Sequence, residues 1–142
     1  MESVAAEARK LNPSIKTEVV RLDVSSAAPS DYGALFKDNE RTSIVVNNAG
    51  IMQNRYFLTQ DPAKMEMMIK TNVHPFVYMS KYALLHFRSN ADKHDHKNAM
   101  LYTSSMAAFC WMSNTALYSA TKAHNFYLAK QVSKAAKKSS RT

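Results

Sequence analysis

The chain has 142 residues, of which 46% are apolar and 10% aromatic, and its formal net charge is +8. That length allows one domain, 1–142, and that apolar content excludes wholesale disorder. Cys110 is the single cysteine, which excludes an intrachain disulfide and is compatible with a reducing compartment, and no run approaches the roughly 18 apolar residues of a membrane span.

The N-terminus, MESVAAEARK, lacks the apolar centre of a signal peptide and reads as helix. The amphipathic pattern predicts that helix over residues 2–11, ended by Asn12 and Pro13. TEVVRLDV, residues 17–24, is β-rich and predicts a short strand. Ser25, Ser26, Pro29, Ser30 and Asp31 then form a polar turn and cap, with a short helix to about Asp38. The sequence TSIVVN is a continuous apolar run suited to a buried parallel strand at residues 43–47.

Asp61 and Pro62 open the next helix, and Met65, Met68, Ile69 and Val73 keep helical spacing. Phe76, Val77, Ser80, Leu84 and Phe87 extend the same stripe. Pro75 has no N–H, so a kink or a fresh start falls at residues 71–74. Met65, Met67 and Met68 read as core and helix surface, not as a special binding face.

Residues 89–98 form a polar loop. Within it His94 and His96 have a spacing able to chelate a metal, but no third ligand is apparent, so a hydrated loop is the reading and no metal site is expected. AMLYT, residues 99–103, predicts a second buried strand. A long helix follows over residues 114–134. Lys130, Lys134, Lys137, Lys138 and Arg141 crowd its end, where cations suit the helix dipole. No RNA-binding aromatic motif accompanies them, so a nucleic-acid partner is not expected. Strands alternating with helices predict an α/β fold with a parallel sheet.

Four short motifs sit at the ends of these elements. Asn47-Asn48-Ala49-Gly50 follows the first apolar strand, and Asn72 sits at the helix break. Ser104-Ser105 follows the strand AMLYT, and Tyr118-Ser119-Ala120-Thr121-Lys122 lies on the last helix. Each has an ordinary explanation when taken alone. A serine pair caps a turn, an asparagine at a kink satisfies freed backbone groups, and a helix lysine is exposed. Their order and spacing, with Ser105 thirteen residues before Tyr118, are the specific signal. Lys122 is one helical turn from Tyr118, so both side chains share a face. A positive charge there would favour the phenolate of a tyrosine otherwise too weakly acidic for proton transfer at neutral pH.

The set resembles the short-chain dehydrogenase/reductase family over nearly the whole chain, from Asp23 to the last helix. The resemblance implies a partial Rossmann-like, doubly wound parallel sheet. It implies NAD or NADP as cofactor, and hydride transfer between the nicotinamide and a carbonyl or alcohol substrate. Tyr118 would be the general acid/base, and Lys122 would also hold the nicotinamide ribose. Ser105 would hold the substrate oxygen, and Asn72 a water linking Lys122 to solvent. Asp23 would receive the adenine amino group, with Val24 flanking the ring. Asn48, Ala49 and Gly50 would pass behind the adenosine ribose.

The apolar segment MAAFCWMSNTAL after Ser105 borders the substrate in that family. A lipid-like ketone follows as an expectation, and the wording YSATK resembles the 3-ketoacyl-CoA and 17β-hydroxysteroid reductase branch. Covering the core is the ordinary use of Phe109 and Trp111. A cytoplasmic or endoplasmic-reticulum-associated setting is expected, without a compartment signal in the sequence.

The glycine-rich TGxxxGxG turn of the family does not occur, and the chain has only two glycines. Such turns cradle the pyrophosphate. The expected fold therefore lacks the N-terminal βαβ unit and the C-terminal strands. Strands 43–47 and 99–103 should pair, while the strand at 17–24 should be left without a neighbour or have to pair in a non-native way. The isolated chain is expected to be inactive. The competing reading is a non-catalytic fragment or pseudoenzyme acting by helix association, with the helices at 62–88 and 114–134 as a homodimer face.

Overall fold

The computed structural model describes residues 1–93 and 97–139. His94 and His96 lie outside the described residues. Helix α1 spans Glu2–Leu11, the bounds predicted from sequence. Helix α2 spans Pro29–Ala34, with Pro29 in its first turn and the Asp31 carboxylate accepting from the Ala28 amide at 2.8 Å. Strand β1 is Ile44–Asn47. Helix α3 covers Pro62–Asn72, with the Asp61 side chain capping the Ala63 amide at 2.9 Å. Helix α4 follows at His74–Ser89. Strand β2 is Ala99–Tyr102, and helix α5 is Ala116–Ser139. Among the described residues, no helix is long and apolar enough to cross a membrane.

β1 and β2 pair in parallel, Val45 opposite Met100 and Asn47 opposite Tyr102. The expected strand at 17–24 does not form, since among the described residues the segment has no partner with which to build a ladder. β1 is also less enclosed than its apolar run suggests. Val45 and Asn47 are buried, whereas Ile44, Val46 and Leu101 are half exposed or more. The cause is that α4 and α5 cover one face only. There Val45, Ala83 and Phe87 form a core with Phe36, Met79 and Met100 around it.

α2 closes the edge of α4. Tyr32 is buried against Tyr78, with ring centroids 5.8 Å apart. A Cβ on Gly33 would lie 2.9 Å from the Tyr82 ring, so only glycine allows this approach.

The break between α3 and α4 falls at Val73. Pro75 cannot donate to the carbonyl four residues back, at Thr71. The ladder resumes with the Val77 amide donating to Val73 O at 3.2 Å. Asn114 starts the turn into α5 with φ 60°, a left-handed conformation that asparagine tolerates. That turn places the start of α5 two residues later than the expected 114.

Candidate active site

Because β1 and β2 are parallel neighbours, the loops after them leave the same end of the sheet. The Thr103 amide donates to Asn47 O at 2.9 Å, and the Thr103 hydroxyl to Asn48 Oδ1 at 2.9 Å. The NNAG turn and the Ser104-Ser105 pair are thereby tied together. Parallel α/β sheets bind ligands at this carboxyl end.

α5 brings its tyrosine and lysine to the same place. Lys122 is only 4% exposed. Its ammonium donates to Thr103 O at 3.1 Å and lies 5.7 Å from the Tyr118 ring centroid. It stands at the same distance from the Phe76 ring. Burial pushes this lysine below its ordinary pKa. The Ser104 hydroxyl donates to the Lys122 carbonyl at 2.8 Å. The segment 103–104 therefore holds Lys122 by its side chain and its main chain.

Asn72 is wholly buried at the helix break. Its Oδ1 accepts from the Ile51 amide at 2.8 Å, and its Nδ2 donates to Ile51 O at 2.9 Å and to Thr121 Oγ1 at 3.0 Å. Both amide hydrogens are committed, so a water serving Lys122 would have to bond elsewhere than to them. Gly50 lies against these two residues. A Cβ there would stand 3.2 Å from Lys122 Nζ and 3.4 Å from Asn72 Oδ1.

Ser105 is half buried and begins a 3-10 turn, Met106–Ala108, its hydroxyl accepting from the Ala107 amide at 3.2 Å. Tyr118 is half buried too. Among the described residues, no hydrogen bond joins the Tyr118 hydroxyl to Ser105 or to Lys122.

Asp23 and Val24 stay apart from this cluster in their bonding. The exposed Asp23 carboxylate accepts from the Ser25 hydroxyl at 2.7 Å and amide at 2.9 Å. These bonds lower its pKa. Val24 O accepts from the buried Tyr32 hydroxyl at 3.3 Å. Ala49 and Asn48 are exposed on the NNAG turn.

Two residues in the cluster were not singled out from sequence, Thr121 and Thr103. A hydroxyl directly before the motif lysine was the available signal for the first. Thr103 carried none, since it holds the Lys122 ammonium through a main-chain carbonyl.

An apolar rim borders a hollow at the start of α5. Tyr56, Phe57, Trp111, Met112 and Ala116 line a cavity of about 300 Å³ with Ser119. Trp111 is 88% exposed and Phe109 60%. The Arg55 amide donates to Asn114 O at 2.9 Å, fixing the two loops of the rim to each other.

The fold has solved relatives. A short-chain dehydrogenase from Sphingobium yanoikuyae, in complex with NADPH, is 21% identical with a TM-score of 0.85, over 98% of this chain and 53% of that one. A bulky-bulky ketone specific alcohol dehydrogenase from Comamonas testosteroni is 18% identical with a TM-score of 0.81, over 93% of this chain and 51% of that one. A short-chain dehydrogenase from Streptomyces avermitilis is 18% identical with a TM-score of 0.78, over 96% and 48%. The chain thus spans about half the length of these structures. No curated protein sequence is significantly similar to it. The short chain dehydrogenase family matches residues 1–140. With the match covering nearly every residue, and the fold in agreement, the chain belongs to the short-chain dehydrogenase family.

Proposed function

We propose that this chain supplies the proton-transfer half of an NAD(P)-dependent oxidoreductase acting on a carbonyl or alcohol. The observation that carries this reading is Lys122. It is buried at the carboxyl end of the sheet, beside Tyr118, and tied to the segment that leads into Ser105.

The residues suit a nicotinamide coenzyme. Gly50 leaves room for close approach to Lys122. An ammonium has three donors, and Thr103 O is the one acceptor it has among the described residues, so two can hold ribose hydroxyls. Asn48, Ala49 and Gly50 would line the path of the adenosine portion. Asp23 and Val24 would serve the adenine end. When bound, the coenzyme supplies or accepts the hydride.

The chain's own residues manage the proton. Tyr118 gives a proton to the developing alkoxide in reduction, or takes it in oxidation. Lys122 places positive charge beside the transient phenolate, and Ser105 donates to the substrate oxygen and orients it. Asn72 holds the backbone of Ile51 and thereby the loop against which Lys122 sits.

The Tyr56, Phe57, Trp111 and Met112 rim supports a bulky, lipid-like apolar carbonyl as substrate. The groove of about 870 Å³ between α4, β2 and α5, lined by Leu84, Phe87, Met100 and Val132, supports association of two copies through these helices.

The activity belongs to the protein in which these residues meet a complete pyrophosphate site. The 142 residues by themselves are expected to be inactive and not to bind NAD(P)H at micromolar concentration. The test is coenzyme titration by fluorescence, followed by oxidation of NADH or NADPH in the presence of bulky ketones. Failure of the full natural chain to oxidise either coenzyme with any ketone would overturn the reading.

A further inference from the structure

We propose that Thr121 is a positioning residue for the Tyr118–Lys122 turn, acting through the hydrogen bond it shares with Asn72. The inference rests on the proposed function for its kinetic consequence, but not for its structural one.

Thr121 is 3% exposed and has no water to turn to. Its hydroxyl donates to Tyr118 O at 2.8 Å. A hydroxyl has one proton, so the oxygen faces Asn72 as an acceptor only. Asn72 Nδ2 donates to it at 3.0 Å. The remaining polar capacity of Asn72 goes to the Ile51 amide and carbonyl. The bonds therefore run unbroken from Ile51 through Asn72 and Thr121 to the Tyr118 carbonyl.

That chain connects three segments distant in sequence. Ile51 directly follows Gly50, and Thr121 directly precedes Lys122. The bonds thus fix how closely the ammonium approaches the Gly50 backbone, where a Cβ would stand 3.2 Å away. A threonine that merely bonded within its own helix would do none of this. Removing the hydroxyl leaves a buried Asn72 N–H without a partner and frees the asparagine to turn. The Ile51 loop then loses its anchor, and the Tyr118–Lys122 turn loses its registration to that loop.

The test uses the full natural chain with Thr121→Val, which keeps the shape, and Thr121→Ser, which keeps the hydroxyl. Two readouts are taken: kcat against KM for NAD(P)H-dependent ketone reduction, and hydrogen exchange of the Ile51 amide by NMR. Thr121→Val is expected to lower kcat about tenfold or more with KM little changed, a loss of orientation rather than of binding. Its Ile51 amide should exchange about tenfold faster than in the parent. Thr121→Ser should restore both. If Thr121→Val does not fold, Thr121→Ala is read in the same way. Parental kcat or parental Ile51 exchange in the variant lacking the hydroxyl overturns the proposal. An inactive parent overturns the proposed function instead, and Ile51 exchange then decides the role of Thr121 alone.

Discussion

Gly50 and Lys122 meet 72 positions apart in sequence, and a single added carbon on Gly50 would lie 3.2 Å from the lysine ammonium. Gly50 has no positive φ, so its value here is space and not backbone freedom. Gly50→Ala is therefore expected to spare the fold, because the crowded atom is the end of a flexible side chain. Thermal melting should change little. In the full natural chain, coenzyme-dependent turnover should fall about tenfold or more, since Lys122 must shift away from the loop.

Tyr118 presents a hydroxyl without a hydrogen-bond partner among the described residues. Tyr118→Phe should leave the melting temperature unchanged. In the full natural chain, ketone reduction should fall about 100-fold or more, as expected when a general acid is deleted. Equal turnover in the two proteins would show that the proton comes from another group.

Asn72 has the opposite profile, being wholly buried with three bonds. Asn72→Ala leaves the Ile51 main-chain groups and the Thr121 hydroxyl short of partners. A loss of about 2–3 kcal/mol in urea unfolding is expected, together with loss of activity in the full natural chain.

The Lys122 charge makes stability depend on pH. Burial lowers its folded-state pKa below the ordinary 10.5. Folding therefore bears the full cost of the charge below the folded pKa and is relieved of it as pH climbs towards 10.5. Tyr32 and Tyr102 act in the other direction above pH 10, because burial raises their pKa values. Urea unfolding of the parent and of Lys122→Met, compared below pH 10, should show the parent gaining on the variant as pH rises towards that limit. A constant difference between them would mean the ammonium is not desolvated.

The helices were legible in the sequence because their signals are local. Asp61 and Pro62 start α3, Pro75 ends one ladder and begins another, and the α1 pattern closes at Asn12. Each rule acts within a turn or two of chain. The four motifs were legible for the same reason, as short strings at strand and helix ends. Residues 17–24 misled because β-propensity says only that a segment suits a strand. A ladder needs a neighbour, and none lies beside it. The half-exposed face of β1 was hidden likewise, since an apolar run does not reveal how many layers cover it.

What the sequence determined by itself was the type and order of the elements other than residues 17–24, and the candidate chemistry of Ser105, Tyr118 and Lys122. Only the tertiary structure decided that Asn72 is spent on Ile51 and Thr121, and that Gly50 makes room for Lys122. The reason is physical. Caps, breaks and periodicity depend on neighbours along the chain, whereas those contacts require parallel strand pairing to bring two loops to one end of a sheet, and α5 to lie across them.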